Sequence, residues 1–420
     1  MAESKVFRIF IFILVLIFPL FSNLVSHSGS VVLVLLTLAG LPYCFSKKKC
    51  PHISNGEKAV MWAFVALFSI YLLSFVFSIF MGDFENPDSA HLEHKLRFLF
   101  IIPILLLFKS VKMEESILWY SVSAGAAISG IYSIINKFWL FSEMRITGSY
   151  HPIAFGDLSI VMAFMSIAGL NFFQKRGKFY AFIPITAFIL GMAASIFSGS
   201  KGAWIAFPIF TLIVFLFLGK NFKIWTRVVI ILIAGLISFS VYQTPSTGVA
   251  ARVNKMKKEL TSYQAGDRNK TSIAERIEGW KAAWQIFKEH PVTGAGVGNF
   301  QPLVHEMIAK GKASEIISKY SQPHSLYLYG MADCGIIGLL AIMSVFVVPL
   351  WVMLSSLKQG SSKRDVVYSG LILITGFMHF GLTESIFKRN IFIGFYVIMV
   401  AVVLVSLNLS SRNRGMLGKS

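Results

Sequence analysis

The chain reads as an all-α polytopic membrane protein of about twelve transmembrane helices, with one large, partly helical loop between the ninth and tenth spans. Three observations predict that class. Hydrophobic residues make up 55% of the 420 residues and charged residues only 14%, with a mean hydropathy of +0.68. A soluble domain carries about 25% charged residues, so there are too few here to cover a water-facing surface. The apolar runs are continuous and much longer than the ~10-residue alternating segments of a membrane barrel. Phe occurs 39 times, which suits contact with lipid better than a close-packed aqueous core. Soluble enzymes, DNA-binding domains and disulfide scaffolds are excluded on the same grounds.

A hydrocarbon core needs about 20 apolar residues as helix, somewhat fewer where flanking side chains snorkel. The sequence offers spans at about 6–22, 31–45, 59–80, 96–108, 116–136, 153–172, 179–197, 202–218, 227–242, 325–354, 366–383 and 390–408. The first has Arg8 near its start and no small-residue cleavage site, so it is expected to remain as an anchor. The fourth is short and carries Lys95 and Arg97 at its entrance. The chain thus divides into spans one to nine over 1–242, the loop 243–324, and spans ten to twelve with a tail over 325–420. It contains no internal repeat and no low-complexity tract.

Short loops set the orientation, because basic residues are retained on the cytoplasmic side. With the N-terminus inside, cytoplasmic segments hold 20 Lys and Arg, among them Lys47, Lys48, Lys49, Lys109, Lys112, Arg176, Lys220, Lys223, Lys363 and Arg412. The short external loops hold 7: Lys95, Arg97, Lys137, Arg145, Lys201, Lys388 and Arg389. The net charge of +19 is therefore mostly a topology signal and no footprint of nucleic acid. Residues 243–324 carry twelve basic and seven acidic residues on the external face, which leaves the assignment intact because long loops cross largely regardless of charge. Within them Ile277, Trp280, Trp284 and Phe287 recur at helical spacing. Pro291 and the Gly294–Gly298 stretch end that helix, and a second helical stretch is expected at about 300–320. A loop of this length with its own helices is usually functional.

The informative residues are the basic ones on the external side despite the bias. Lys201 lies in Phe197-Ser198-Gly199-Ser200-Lys201-Gly202, where small residues admit a ligand or backbone; the alternative is a side chain that snorkels to the interface. Arg276, in Glu275-Arg276-Ile277, offers a planar fork that matches phosphate oxygens, unless it is spent on an ion pair with Glu259 or another carboxylate of the loop. His324, in Gln322-Pro323-His324-Ser325, stands where the loop re-enters the membrane. A neutral imidazole there could take a proton from a sugar hydroxyl near pH 7, or serve only as a hydrogen-bonded structural residue. Arg145 and His151 precede the sixth span and Asp157 lies just inside it, where an ionisable residue is a functional suspect. Asp333 and His379 are also intramembrane, and packing partners explain them equally well. Lys95, Arg97, Lys388 and Arg389 form an external basic rim. Cys44, Cys50 and Cys334 show no disulfide or metal framework. The glycine stretch lacks the preceding strand of a nucleotide loop. There is no HExxH, no Cys/His cluster and no acidic pair of the kind that holds a metal for nucleotide-sugar transfer, so no cofactor and no metal are expected.

Taken together, Lys201 between spans, Arg276 opening the loop helix and His324 closing the loop resemble the O-antigen ligase family. Local text matches too: Ala274-Glu275-Arg276 through Phe287-Lys288-Glu289-His290-Pro291, the following Gly-Val-Gly-Asn-Phe, Pro323-His324-Ser325, Gly335-Ile336-Ile337-Gly338 and Gly381-Leu382-Thr383-Glu384. The motifs are shared with O-antigen polymerases and protein O-oligosaccharyltransferases. The resemblance implies an inner-membrane enzyme of Gram-negative bacteria that moves O-polysaccharide from a polyprenyl diphosphate to lipid A–core in the periplasm, by metal-independent inverting transfer. It implies His324 as the base and Arg276 with Lys201 as neutralisers of the diphosphate. Arg145, Lys95, Arg97 and Arg389 would then meet donor or acceptor phosphates, with His151 and Asp157 further substrate-binding candidates. The family usually carries Arg at the position of Lys201, so charge is kept and the bidentate fork lost. The competing readings are a polymerase of the same superfamily and a lipid or sugar transporter, which would show pseudo-symmetric halves and broken midplane helices.

Overall fold

The computed structural model describes residues 4–46, 50–81, 90–140, 145–218, 225, 235–236, 239–267, 271–359 and 363–407. Most of the span expected at 227–242, the lysines at 47–49, Lys220, Lys223, Arg227 and the basic tail after 407 lie outside the described residues. Among those described, every regular element is helical. In chain order they are α1 (Lys5–Leu24), α2 (Ser28–Phe45), α3 (Asn55–Met81), α4 (Ala90–Leu96), α5 (Ile101–Ser110), α6 (Glu115–Ile134), α7 (Pro152–Ala168), α8 (Leu170–Gln174), α9 (Phe182–Ser198) and α10 (Lys201–Leu218). They continue with α11 (Val249–Gln264), α12 (Ser272–Glu289), α13 (Phe300–Ala309), α14 (Leu326–Lys358), α15 (Arg364–Thr383) and α16 (Asn390–Leu407).

Eight of these are long and apolar enough to cross a membrane: α1, α2, α3, α6, α9, α14, α15 and α16. They coincide with eight of the expected spans. The fourth, sixth and eighth expected spans correspond to shorter helices. α5 has 10 residues and continues α4 through a turn of 3-10 helix at Arg97–Phe100. α7 has 17 residues and the apolar run of α10 covers only Lys201–Leu216, whereas α9 counts among the eight because the 3-10 turn at Lys178–Ala181 extends it to 21 residues.

At the centre stands α16, whose apolar residues run all round the helix; such a helix has no face to give to water and is buried. It meets α15 and α14 through Phe377 and Tyr396, whose rings are 4.9 Å apart, and through the Tyr396 hydroxyl, which donates to the Val345 carbonyl at 2.9 Å. α6 and α7 pack on α9, α1 packs on α6, and both α7 and α10 pack on α15. Inside the apolar bundle the buried Asn23 amide of α1 donates to Ser129 Oγ of α6 at 2.9 Å and Ser159 Oγ of α7 at 3.0 Å. Small hydroxyl residues at such seams let the helices approach and give the amide partners it cannot find in lipid.

Two features of the loop differ from expectation. α12 forms where the periodicity predicts it, capped by Thr271, whose hydroxyl accepts from Ala274 N at 3.2 Å. Its buried face, however, is Ala274, Gly279, Ala282, Ala283 and Ile286, while Trp284 is exposed and Ile277, Trp280 and Phe287 are half-buried. The reason is close approach: a Cβ on Gly279 would sit 3.3 Å from Pro323 Cα, so only small residues let this helix lie against the segment leading to His324. The second stretch is shorter than 300–320, with α13 ending at Ala309 and a 3-10 turn at Glu315–Ile317.

The glycine stretch does more than end a helix. α14 breaks at Cys334 and Gly335, the latter at φ +63°. Ala295 N donates to Ala332 O at 2.9 Å, Gly296 N to Asp333 O at 3.0 Å, and Ile336 N to Pro291 O at 2.9 Å. Backbone from the loop thus satisfies the groups that the break exposes, as buried non-helical backbone at membrane depth requires. The only space for this is a glycine's: a Cβ on Gly335 would fall 2.3 Å from Val292 O, and one on Gly294 2.4 Å from the Asp333 carbonyl carbon.

Candidate functional site

Segments far apart in the chain converge at the end of the bundle where α15 finishes. The first is the re-entry of the loop. His324 adopts φ +55°, a left-handed conformation rare outside glycine, immediately after the stiff Pro323. Its carbonyl accepts from Trp280 Nε1 at 3.4 Å and its backbone N–H donates to Gln322 Oε1 at 3.1 Å. The imidazole is 19% exposed and its Nδ1 lies 3.5 Å from Glu384 Oε2. Tyr320 stands edge-on to the ring at 5.1 Å.

Glu384 follows the last turn of α15 and is 2% exposed. Its Oε1 accepts from Gln322 Nε2 at 3.3 Å and lies 3.4 Å from Arg389 Nη2. Burial pushes this carboxyl up, but the His324 hydrogen bond and the charges of Arg389, His324 and Arg276 outweigh it and hold the pKa at about 2. Beside it Lys388 Nζ donates to Ser321 Oγ at 2.6 Å and to Ser321 O at 3.1 Å, tying this corner to the segment before His324.

The second group is built on the α9–α10 turn. Gly199 takes φ +62°, and a Cβ there would fall 1.5 Å from Arg252 Nη1, so the turn needs glycine both for its shape and for the guanidinium it admits. The Gly199 carbonyl accepts from Arg145 Nη2 and from Arg252 Nη1, each at 3.2 Å, while Arg145 Nε donates to Ser198 O at 2.8 Å. Ser200 Oγ donates to the buried Asp157 Oδ1 at 2.6 Å, which fixes the start of α10 and hence Lys201. The turn abuts the end of α15: a Cβ on Gly202 would lie 3.2 Å from Thr383 Oγ1, one residue before Glu384.

Cations are crowded here. Burial and the neighbouring charges of Arg252 and Arg276 pull the Arg145 pKa down to about 10, and burial lowers that of Arg252. Arg276 also interacts electrostatically with Lys201 and with Glu384. Among the described residues neither Lys201 nor Arg276 forms an ion pair; the Glu259 carboxylate is nearer to Lys255, at 4.0 Å. His151 caps α7, its Nδ1 accepting from Ile153 N at 3.3 Å. Its pKa is lowered by burial first and then by Arg389, and it also feels Glu384, Arg145 and His324. Such an assembly holds cation repulsion that a polyanionic ligand would relieve.

Of the residues singled out from the sequence, Lys201, Arg145, His151, Asp157, Arg276, His324 and Arg389 therefore stand together. Lys95 and Arg97 do not. Lys95 is buried, donates to Phe387 O at 3.3 Å and lies 4.6 Å over the Tyr71 ring. Arg97 is committed to Glu93 at 2.7 Å and to Ser30 Oγ at 3.0 Å. The structure adds Glu384, Gln322 and Arg252. Glu384 was visible only as part of a short matching motif. Arg252 was one of twelve basic residues in the loop, and nothing in its local sequence distinguishes it.

The chain is similar over 396 residues, at 26% identity, to a Haemophilus influenzae protein described only as uncharacterized, covering 93% of this chain and 96% of that protein. Residues 185–343 match the family described as O-antigen ligase. That stretch runs from α9 through the α9–α10 turn, Arg252, Arg276 and His324 into α14, stopping before Glu384 and Arg389. With eight long apolar helices, this is a multi-pass membrane protein that carries an O-antigen ligase family domain over residues 185–343.

Proposed function

We propose that the protein is an O-antigen ligase that transfers O-polysaccharide from a polyprenyl diphosphate to a sugar hydroxyl of lipid A–core, with inversion, at the periplasmic face of the Gram-negative inner membrane. One observation carries the reading: a carboxylate-backed imidazole, His324 with Glu384, shares one end of an apolar bundle with two cations, Lys201 and Arg276, that form no ion pair among the described residues. The family match supports the coarser statement, a membrane glycosyltransferase-like enzyme of the ligase and polymerase superfamily acting on lipid-linked glycans.

The chemistry asks for these groups. The acceptor hydroxyl gives its proton to His324 while its oxygen bonds to the anomeric carbon. The bond from that carbon to the diphosphate oxygen breaks, and its electron pair leaves with the diphosphate. A hydrogen bond from Nδ1–H to Glu384 selects the tautomer with Nε2 as the basic nitrogen and stabilises the imidazolium that forms. Diphosphate is a weakly basic leaving group, so it needs neutralisation of its growing charge more than a proton. Arg276, Lys201, Arg145 and Arg252 supply that neutralisation around the α9–α10 turn, where one such contact is worth roughly 10²–10³ in rate. The apolar spans below hold the polyprenyl tail, and Arg389 and His151 meet donor or acceptor phosphate.

A deletion strain tests the proposal. It should make uncapped lipid A–core and accumulate the lipid-linked polymer. Cores capped by single repeats would point to the polymerase instead. With purified protein, transfer to lipid A–core should survive chelator and need no ATP; complete loss that added metal restores would overturn the proposed division of labour.

A further inference from the structure

At the other end of the bundle lies a cavity of about 610 Å³ with no part in the proposed transfer, lined by Lys109, Lys112, Arg176, Lys363 and three carboxylates. α15 sets its distance from the candidate site, since Lys363 precedes its first residue and Glu384 follows its last. Its 20 residues at 1.5 Å each span ~30 Å, the thickness of a hydrocarbon core. The volume falls within the ~300–1,000 Å³ of small-ligand sites.

The charges of this cavity are arranged to leave two cations over. Glu57 is taken by Lys109 at 2.6 Å, Glu115 by Lys363 at 3.0 Å and Glu114 by Arg8 at 2.9 Å. Lys363 is further engaged by Ser406 O at 2.7 Å. That accounts for all three carboxylates. Lys112 and Arg176 remain, both exposed and neither in an ion pair among the described residues; Arg176 lies 3.8 Å over the Phe172 ring, which fixes its guanidinium at the cavity edge. Lys112 is held in place by its backbone, at φ +49°, with its carbonyl accepting from Arg8 Nη2 at 3.4 Å. Phe172, Met113 and Val405 give the same cavity an apolar wall.

We propose that this cavity is a second binding site, for a phosphate-bearing anion held by Lys112 and Arg176, its apolar wall suiting the headgroup region of an acidic phospholipid. A planar guanidinium and an ammonium lining one cavity beside an apolar wall match a phosphodiester at the membrane surface, where each basic residue contributes affinity for anionic lipid. The same two cations would also accept a free phosphate.

The test uses the purified full chain in detergent, titrated with phosphatidylglycerol, with phosphatidylcholine, and separately with labelled inorganic phosphate, with bound ligand counted per chain. Wild type should retain phosphatidylglycerol over phosphatidylcholine. Lys112→Ala with Arg176→Ala should weaken retention by ~5-fold per charge, ~25-fold together. The charge-preserving pair Lys112→Arg with Arg176→Lys should restore it, which separates a binding defect from a folding one. If inorganic phosphate binds with the same dependence on the two residues and the lipid does not, the anion site stands and its source is a free phosphate. Equal phosphatidylglycerol retention by wild type and the alanine pair, with no phosphate binding, overturns the proposal.

Discussion

His324 is fixed before any substrate arrives. Its left-handed backbone, the indole hydrogen bond to its carbonyl and the Gln322 contact hold the ring against Glu384. Backbone strain of ~1–3 kcal/mol is tolerated where surroundings over-determine it, commonly at functional sites. His324→Ala should abolish transfer while donor binding, measured on the purified protein with lipid-linked glycan, stays near wild type, because the imidazole acts on the acceptor. Glu384→Gln should slow transfer by ~10–100-fold, the loss of one orienting charge. The pH dependence has a definite sign. The folded pKa of Glu384 is depressed to about 2, so its stabilisation is whole above its ordinary value near ~4.3 and is lost as pH falls toward about 2. It amounts to ~3 kcal/mol at most, because Arg389 is 35% exposed and screened. Thermal stability should therefore fall over that acid window in wild type and less so in Glu384→Gln; identical acid profiles would remove the carboxylate from this role.

Lys201 gives a second test at this scale. Lys201→Arg should keep or raise transfer if the position binds diphosphate, since a fork fits phosphate oxygens better than an ammonium does. Lys201→Ala should lose roughly 10²–10³ in rate. Equal transfer by all three forms would mean that the side chain only reaches for the interface.

At the scale of elements, the site depends on a break. α14 bends back because Gly335 turns the chain at φ +63° and the Gly294–Gly296 backbone docks into the gap. A continuous helix from Leu326 would leave the loop's donors without acceptors. Gly335→Ala would place a methyl 2.3 Å from Val292 O in a conformation alanine resists, so it should cost at least ~1–3 kcal/mol. Unfolding followed by intrinsic fluorescence in detergent should show a lower midpoint. Gly311→Ala, at φ +66° with open space around its Cβ position, should show only the smaller conformational cost. Equal shifts for the two variants would mean that docking at the break contributes nothing.

At the scale of the whole molecule, the sidedness expected from basic residues can be measured directly. In a variant lacking Cys44, Cys50 and Cys334, Lys310→Cys should react with a membrane-impermeant thiol reagent in whole cells, and Ser361→Cys should not. Lys310 is well exposed near the end of α13, which makes it a fair reporter for the loop. The reverse pattern would put the candidate site in the cytoplasm and undo the proposed substrates. The membrane class and the eight long helices were legible because lipid imposes a one-dimensional rule, about 20 apolar residues per crossing, that composition and run length record directly. The loop helix over Ser272–Glu289 was legible from its spacing and its capping threonine, but its buried face was not, since close approach to Pro323 selects glycine and alanine over the larger apolar residues. The gathering of Lys201, Arg145, His151, Arg276, His324 and Arg389 depends on five segments far apart in the chain, and the departure of Lys95 depends on Phe387, while Arg97 leaves for Glu93, only four residues away. Single-chain text marks a residue as basic or acidic. Only the packing of α15 against the α9–α10 turn decides which charges face each other, because an ion pair or a hydrogen bond is set by distances of about 3 Å between side chains that the sequence holds tens of residues apart.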